Sequence, residues 1–151
     1  MGTGAHVRCR SISIEVEEVV MSMGHIAALV LEGLLGLFFA YAAYTLFAWT
    51  PPSVTKARDA LRYPRWWWVL AGVTATIGAA GLLVGLGAPE LGALAALWGC
   101  AYFVVAGLSH LVRGDVRGFF MYPLIFLVLC VVLLVLRWSD LAPVLALVGL
   151  K

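Results

Sequence analysis

Four long apolar segments constrain the fold of this chain more than any other feature of its sequence. They cover residues 25–49, 66–87, 91–112 and 119–138. A membrane-spanning helix needs about 20 mostly apolar residues to cross a hydrocarbon core about 30 Å thick, and each segment meets that length. Because lipid offers the backbone no hydrogen-bond partner, and no barrel-like alternation is present, these segments must be helices. We therefore predict an all-α, polytopic membrane protein.

The composition excludes the main soluble alternatives. Apolar residues make up 64% of the 151 residues and charged residues 12%, whereas soluble domains have about 45–50% and about 25%. A soluble fold of this size has too little interior to hide so much apolar surface. The net charge of +2 is too small to favour a nucleic-acid partner. The lipid bilayer is the partner that the composition predicts.

The connectors between the four segments predict how the helices are arranged. Prolines at 51–52 end the first helix, and a Gly-Ala-Pro-Glu turn at 87–90 separates the second from the third. Gly114 and Gly118 separate the third from the fourth. Short connectors force neighbouring helices to run antiparallel. We predict an up-down four-transmembrane-helix bundle over residues 24–138.

The two ends of the chain carry weaker signals. We expect residues 1–23 to form a disordered N-terminal tail, with Met1, Met21 and Met23 all open as the true start. Residues 139–151 form a short apolar C-terminal tail that is too short to span a bilayer. Pro143 in this tail argues against a simple extension of the fourth helix.

The distribution of Lys and Arg predicts the orientation. Six of them lie in the loops 51–65 and 113–118, on one side of the predicted bundle. Cytoplasmic loops carry an excess of basic residues, so we expect these loops in the cytoplasm of a prokaryotic cell, with both termini outside the plasma membrane. Residues 53–63 form either an amphipathic surface helix on an anionic leaflet or a solvated basic loop.

The order of several short motifs resembles the DoxX-like family of small four-helix prokaryotic membrane proteins. The second segment opens with Leu-Arg-Tyr-Pro-Arg-Trp at 61–66 and is rich in Gly, and the turn at 87–92 follows. The third segment ends with His-Leu-Val-Arg-Gly-Asp at 110–115. Family members often carry a Glu in the second helix, where this chain has Val-Thr-Ala-Thr at 73–76. The resemblance covers residues 24–138.

The resemblance implies a function that the residues alone do not. Related proteins are linked to quinone-coupled sulfur oxidation and to membrane redox complexes. The chain is thus expected to be an accessory or quinone-facing component of a membrane redox system, and whether it is an enzyme by itself stays open. Two rivals remain, which are a non-catalytic scaffold that binds partner proteins and a small carrier or lipid-binding bundle. A G-x-x-x-G pattern at 81–85 serves either a homodimer or close packing within one bundle.

Glu32 is the first candidate functional residue. An ionisable side chain at the centre of a membrane helix costs about 2.5 kcal/mol or more, so it is a functional hypothesis by default. A rise of 1.5 Å per residue places Glu32 about 10 Å below the outer edge of the membrane. It is predicted to point into the bundle. Its role is to accept protons or orient a ligand; alternatively, it hydrogen-bonds a neighbouring helix in its protonated form or snorkels outward.

His110 is the second candidate, because an imidazole can shuttle protons or bind a metal. The same rise places it about 28 Å from the outer edge, so it cannot touch Glu32. It either faces Asp115 or a quinone carbonyl, or packs at the interface as a helix-end residue. Its expected neighbours on the cytoplasmic side include Tyr44, Arg113, Asp115 and Tyr122.

Four further side chains are predicted to form a polar layer at the level of Glu32. They are Trp98, Cys100, Tyr102 and Cys130. The two cysteines are either a redox dithiol across the third and fourth helices or small core residues, and no C-x-x-C motif is present. The sequence contains no metal-ligand spacing, so we predict no metal site.

Overall fold

A computed structural model describes residues 3–48, 52–114, 120–147 and 149 of the chain. Within these ranges the regular structure is helical throughout, with no strand, which confirms the predicted all-α class. The helices are α1 (Thr3–Ala48), α2 (Pro52–Leu61), α3 (Arg65–Gly85), α4 (Pro89–Val112), α5 (Met121–Leu136) and α6 (Trp138–Leu147).

Three of these helices are long and apolar enough to cross a membrane. They are α3, α4 and the part of α1 from Met21 to Ala48. The chain is therefore a polytopic helical membrane protein, as the apolar segments predicted. The fourth span differs from the straight helix expected over 119–138, because α5 is only 16 residues long and α6 leaves it at an angle of 75°. The two together can count as one broken span.

The N-terminal segment is helical, contrary to the disordered tail expected over residues 1–23. Residues 3–23 continue into the first span as one helix. Residues 5–23 contain neither proline nor glycine, and those two residue types are the ones that most oppose a helix. Nothing in this stretch therefore ends the helix once the first span has formed.

The helices form an antiparallel bundle in which α1 packs against α3 and α5, and α4 packs against α3 and α5. Two glycines show the direction of the α1–α3 pair. A Cβ built on Gly36 would lie 3.0 Å from Leu83, and one built on Gly72 would lie 3.0 Å from Phe47. Later residues of α1 thus meet earlier residues of α3, which is the arrangement that short connectors impose.

The centre of the bundle combines two kinds of packing. Small residues bring α3 and α4 together, and stacked aromatic rings join α5 to α1 and α4. The rings of Phe38 on α1 and Phe126 on α5 stack with centroids 3.5 Å apart. Within the G-x-x-x-G pattern, Gly81 meets Ala95 and Gly85 meets Gly92. Both glycines therefore serve close packing between α3 and α4 within the bundle.

Two short helices flank the bundle. Of the two interpretations of residues 53–63, the helical one is confirmed by α2, in which Leu61 is buried and Lys56 exposed. The expected C-terminal tail begins instead as α6, which packs against α4 and α5 through the buried Leu141. Pro143 lies inside α6, and the chain breaks six residues earlier, at Arg137.

Candidate functional site

A buried ion pair joins α1 to the break between α5 and α6. Arg137 Nη2 donates to Glu32 Oε2 at 2.6 Å, and the two side chains are 2% and 0% exposed. The other terminal nitrogen of Arg137, Nη1, lies 3.4 Å from Asp140 Oδ2 on α6. We call this region, with Glu32, Arg137, Asp140, Gly85 and Gly92, the ion-pair end of the bundle.

Two glycines make room for the Glu32 carboxylate. Gly85 is the last residue of α3 and Gly92 lies in the first turn of α4. A Cβ on either residue would overlap Glu32 Oε1, and one on Gly85 would also overlap the backbone of Gly92. The carboxylate therefore sits against the turn between α3 and α4, near the N-terminus of α4, where the helix dipole favours a negative charge.

The pair cancels its own charge but is not fully satisfied. Glu32 Oε1 and Arg137 Nε are both buried and have no hydrogen-bond partner within the described residues. Removing one member of such a pair leaves an uncompensated charge in a medium that cannot solvate it. The Glu32 carboxyl group is thus held by Arg137, at the break between α5 and α6, as well as by the turn between α3 and α4.

An aromatic cavity of about 400 Å³ lies in the other half of the bundle. Its wall combines side chains from α1 to α5, most of them apolar. The residues that line it include Phe38, Trp67, Trp68, Thr74, Trp98, Tyr102, Ala106, His110, Tyr122 and Phe126. We call this space the aromatic cavity. Its volume lies within the range of about 300–1,000 Å³ that is typical of small-molecule sites.

The polar atoms of the aromatic cavity differ in whether they already have a hydrogen-bond partner. The indole nitrogen of Trp68 donates to the Tyr63 carbonyl at 3.3 Å, and that of Trp98 donates to the Thr74 carbonyl at 3.1 Å. The Tyr102 hydroxyl has no hydrogen-bond partner in the part of the chain that the structure describes. Tyr102 is half-buried and lines the cavity, so its hydroxyl is a donor available to a bound molecule.

The predicted polar layer at the level of Glu32 lies elsewhere. Gly78 on α3 meets both Phe39 and Trp98, and the ring of Tyr102 lies 5.4 Å from that of Phe39. Phe39 is seven residues beyond Glu32, which is about 10 Å along α1. Trp98 and Tyr102 therefore surround Phe39 rather than Glu32. The upright-helix count failed because it placed the starts of the first and third segments, at His25 and Leu91, at the same depth, whereas Glu32 lies against Gly92 in the first turn of α4.

The two cysteines lie on neighbouring helices at this Phe39 level. Cys130 on α5 is fully buried, and a Cβ on Gly99 of α4 would lie 2.8 Å from its sulfur. Cys100 follows Gly99 and is half-buried. Both are free thiols. The contact with Gly99 gives Cys130 the role of a small packing group.

The structure places the residues that were predicted to lie around His110 on the cytoplasmic side in three different settings. His110, which is buried, and Tyr122 both line the aromatic cavity. Tyr44 is exposed and is not part of its wall, while Arg113 lies over the ring of Tyr63. Asp115 lies outside the described residues. The structure thus brings His110 and Tyr122 to one space, more than two helical turns from Glu32.

Sequence reasoning missed Arg137 as the partner of Glu32. The signal was present, because an antiparallel fourth helix brings its C-terminal end to the same side as the start of the first helix. A charge inside a membrane helix needs a partner, and Arg137 was the one cation near that end of the four apolar segments. The stacking of Phe38 on Phe126 had no comparable signal in the sequence.

Within the described ranges, no group of three or more His, Cys, Asp or Glu side chains could hold a metal ion. In the described residues, apolar spanning helices packed around a buried ion pair and an aromatic cavity define a polytopic helical membrane protein. The family model of the DoxX-like family matches residues 30–133. The chain therefore belongs to the DoxX-like family, as its motifs suggested. No curated protein and no solved structure matches the chain.

Proposed function

We propose that this DoxX-like protein is an accessory subunit of a membrane redox system and that it binds a quinone in the aromatic cavity. The observation that carries the proposal is the cavity itself, which combines an apolar aromatic wall with a Tyr102 hydroxyl that has no hydrogen-bond partner among the described residues. The family match covers every residue of the cavity wall, from Phe38 to Phe126.

The aromatic wall suits a flat ring. Phe38 and Phe126 are already stacked, and Phe103 stacks on Phe126 at 5.5 Å, so one side of the cavity presents a layered aromatic surface. Aromatic pairs prefer offset-stacked or edge-on contacts with centroids about 4.5–7 Å apart. A quinone ring can extend this layer without moving the backbone.

The polar side chains suit the two carbonyl oxygens of such a ring. Tyr102 can donate to one of them through its hydroxyl, and His110 lies on the same cavity wall as a second polar group. A bound quinone would supply two-electron, two-proton redox chemistry. The chain's own contribution is to bind and orient the ring, to exclude lipid from it and to hold a proton donor at Tyr102 Oη.

The accessory role assigns electron exchange to a partner membrane protein. The rival scaffold function is supported by the ion-pair end, because its buried ion pair joins α1 to the break between α5 and α6 and so has a structural role. The rival carrier function is less well supported, since Glu32 is held by Arg137 rather than facing an open space. The quinone proposal is the one that uses the cavity.

The proposal includes an orientation in a prokaryotic plasma membrane. The loops 51–65 and 113–118 would face the cytoplasm and both termini would lie outside, because the basic residues concentrate in these loops. Alkaline phosphatase fused to the C-terminus should then be active, and green fluorescent protein at the same place should be dark. The opposite pattern would reverse the orientation.

Quinone titration of the purified protein tests the proposal. A short-chain ubiquinone should quench the fluorescence of Trp67, Trp68 and Trp98 in a saturable way, because all three line the cavity. Tyr102→Phe should weaken binding about fivefold, which corresponds to one hydrogen bond of about 1 kcal/mol. Tyr44→Phe is the matched control, since Tyr44 is an exposed tyrosine outside the cavity wall.

Two results would contradict the proposal. Quenching that rises linearly without saturation would show partition into detergent rather than binding. Equal affinities for the Tyr102→Phe and Tyr44→Phe proteins would place any quinone site elsewhere. His110→Ala adds a second check, because it should lower the affinity while leaving the helical content unchanged.

A further inference from the structure

Tyr63 connects two segments that are far apart in the sequence. It lies between α2 and α3, and its ring stacks on Trp67 with centroids 5.1 Å apart. Its carbonyl accepts the indole N–H of Trp68. The guanidinium of Arg113, at the end of α4, lies 4.6 Å from the centre of the Tyr63 ring. This cation–π contact places the positive charge of Arg113 beside the start of α3.

The neighbouring Arg62 occupies an unusual backbone position. Its φ of 52° is left-handed, and its N–H donates to the Arg58 carbonyl at 2.8 Å to end α2. Glycine is the usual residue at such a helix end, because a side chain there is strained. A glycine would therefore satisfy the backbone better than Arg62 does. The exposed arginine side chain must serve something other than the turn.

The charges around Tyr63 are strongly unbalanced. Residues 52–68 and 110–114 contain five Lys or Arg and a single carboxylate, Asp59. That carboxylate lies 3.4 Å from Arg58 on the same helix. Lys56, Arg62 and Arg113 are exposed, as is the indole of Trp66.

The position of this cluster relates it to the membrane surface. Candidate spans begin at Arg65 and end at Val112, so Arg62 and Arg113 flank the ends of two membrane helices. Lipid headgroups lie at this level, and exposed tryptophans such as Trp66 prefer the same zone. A planar guanidinium binds phosphate through two parallel hydrogen bonds. Basic residues beside membrane helices attract anionic lipids.

We propose that Arg62 and Arg113, arranged around Tyr63, form a binding site for the phosphate of an anionic phospholipid such as phosphatidylglycerol. Tyr63 holds the Arg113 charge in place, and Arg62 directly precedes Tyr63 in the chain, at the left-handed turn that ends α2. The site lies next to the aromatic cavity but uses none of its wall residues, so it stands whether or not the cavity binds a quinone.

Native mass spectrometry of the full chain, released from micelles with equal amounts of phosphatidylglycerol and phosphatidylcholine, tests this proposal. The wild-type protein should retain phosphatidylglycerol in preference. Arg62→Gly and Arg113→Gln should each lower that preference about fivefold, the effect of one basic residue near an anionic surface. Arg58→Gln removes the same charge from a residue that lies beside Asp59 and should change it little.

The design keeps folding separate from binding. Arg62→Gly suits the left-handed backbone, so it should fold even if Arg113→Gln does not. Tyr63→Phe keeps the ring under Arg113 and should keep the preference. Equal retention of the two lipids by the wild-type protein, or an equal loss in the Arg58→Gln protein, would overturn the proposal. Displacement of the bound lipid by inorganic phosphate as readily as by phosphatidylglycerol would also overturn it, because the site would then recognise phosphate alone.

Discussion

The ion-pair end and the aromatic cavity occupy opposite halves of one bundle and handle polar groups in opposite ways. At the ion-pair end, two full charges are buried, and glycines at 85 and 92 leave no room for any further atom. In the aromatic cavity, the polar groups are hydroxyls, indole nitrogens and one imidazole, and space for a ligand remains.

This difference shows what a small membrane bundle requires of its interior. A charge that is buried away from water is stable only when its partner is close, so tight packing must hold the two side chains of the ion-pair end together. A ligand site needs the reverse, with unfilled volume and few donors. Substitutions at the ion-pair end should therefore change stability, and substitutions in the cavity should change binding.

The largest effect is expected from breaking the ion pair. Arg137→Leu leaves the Glu32 carboxylate buried without a cation, which should lower the free energy of unfolding by about 3–5 kcal/mol. The Glu32→Leu/Arg137→Leu double variant should recover most of this loss, because it leaves no charge behind. Circular dichroism during denaturation in detergent measures both.

If the free energy of unfolding of the Arg137→Leu protein fell by less than about 1 kcal/mol, the loss would match that of a solvent-exposed ion pair. It would show that water reaches Glu32 and that the ion-pair end is less closed than its geometry indicates. Failure of the double variant to recover stability would show that Arg137 acts through packing on α6 instead.

Filling the space beside the carboxylate should have the next largest effect. The Cβ of Gly92→Ala would overlap Glu32 Oε1, and such overpacking costs about 1–3 kcal/mol. Gly33→Ala is the matched control, since it lies next to Glu32 in α1 and its Cβ would meet nothing within 4 Å. Thermal unfolding of the two proteins should differ clearly, and equal melting temperatures would contradict the tight packing.

Filling the aromatic cavity should have a moderate effect on binding and a small one on stability. Ala106→Phe places a ring in the space where the quinone is proposed to bind. We expect affinity to fall about tenfold, which corresponds to about 1.4 kcal/mol. Ala80→Phe introduces the same ring on an exposed part of α3 outside the cavity and should leave binding unchanged. Equal affinities for the two variants would move the ligand out of the cavity.

The smallest effect is expected at the thiols. Cys130→Ala removes one buried atom that packs on Gly99, and the loss of such a group costs about 1 kcal/mol. Quinone binding should be unchanged, and so should electron transfer in a reconstituted system. Loss of electron transfer in both Cys130→Ala and Cys100→Ala, with binding intact, would revive the redox dithiol.

The sequence predicted the elements well where a single physical rule governs them. Runs of about 20 apolar residues can only be helices in lipid, so α3 and α4 lie within two residues of their predicted bounds. The straight fourth span predicted over 119–138 was wrong, because the chain bends at Arg137, whose side chain pairs with a glutamate 105 residues earlier in the chain. The helical continuation over residues 3–23 was missed, because polar composition was taken as a sign of disorder.

The candidate site was less predictable than the fold. Glu32 and His110 were found because polar groups in apolar helices are conspicuous. Their surroundings depend on which helices face each other and at what depth. Counting a rise of 1.5 Å per residue along straight helices placed Trp98 and Tyr102 about 10 Å from their actual level. The roles of Gly85 and Gly92 become visible only when the carboxylate lies against them.

The sequence by itself determined that this protein lies in a membrane, where α3 and α4 run and which family it belongs to, because these follow from local length, hydropathy and short motifs. The tertiary structure decided that Glu32 meets Arg137 and that an aromatic space remains beside Tyr102. Those contacts join residues from different helices, and their geometry depends on helix depth, rotation and bending, which no local pattern encodes.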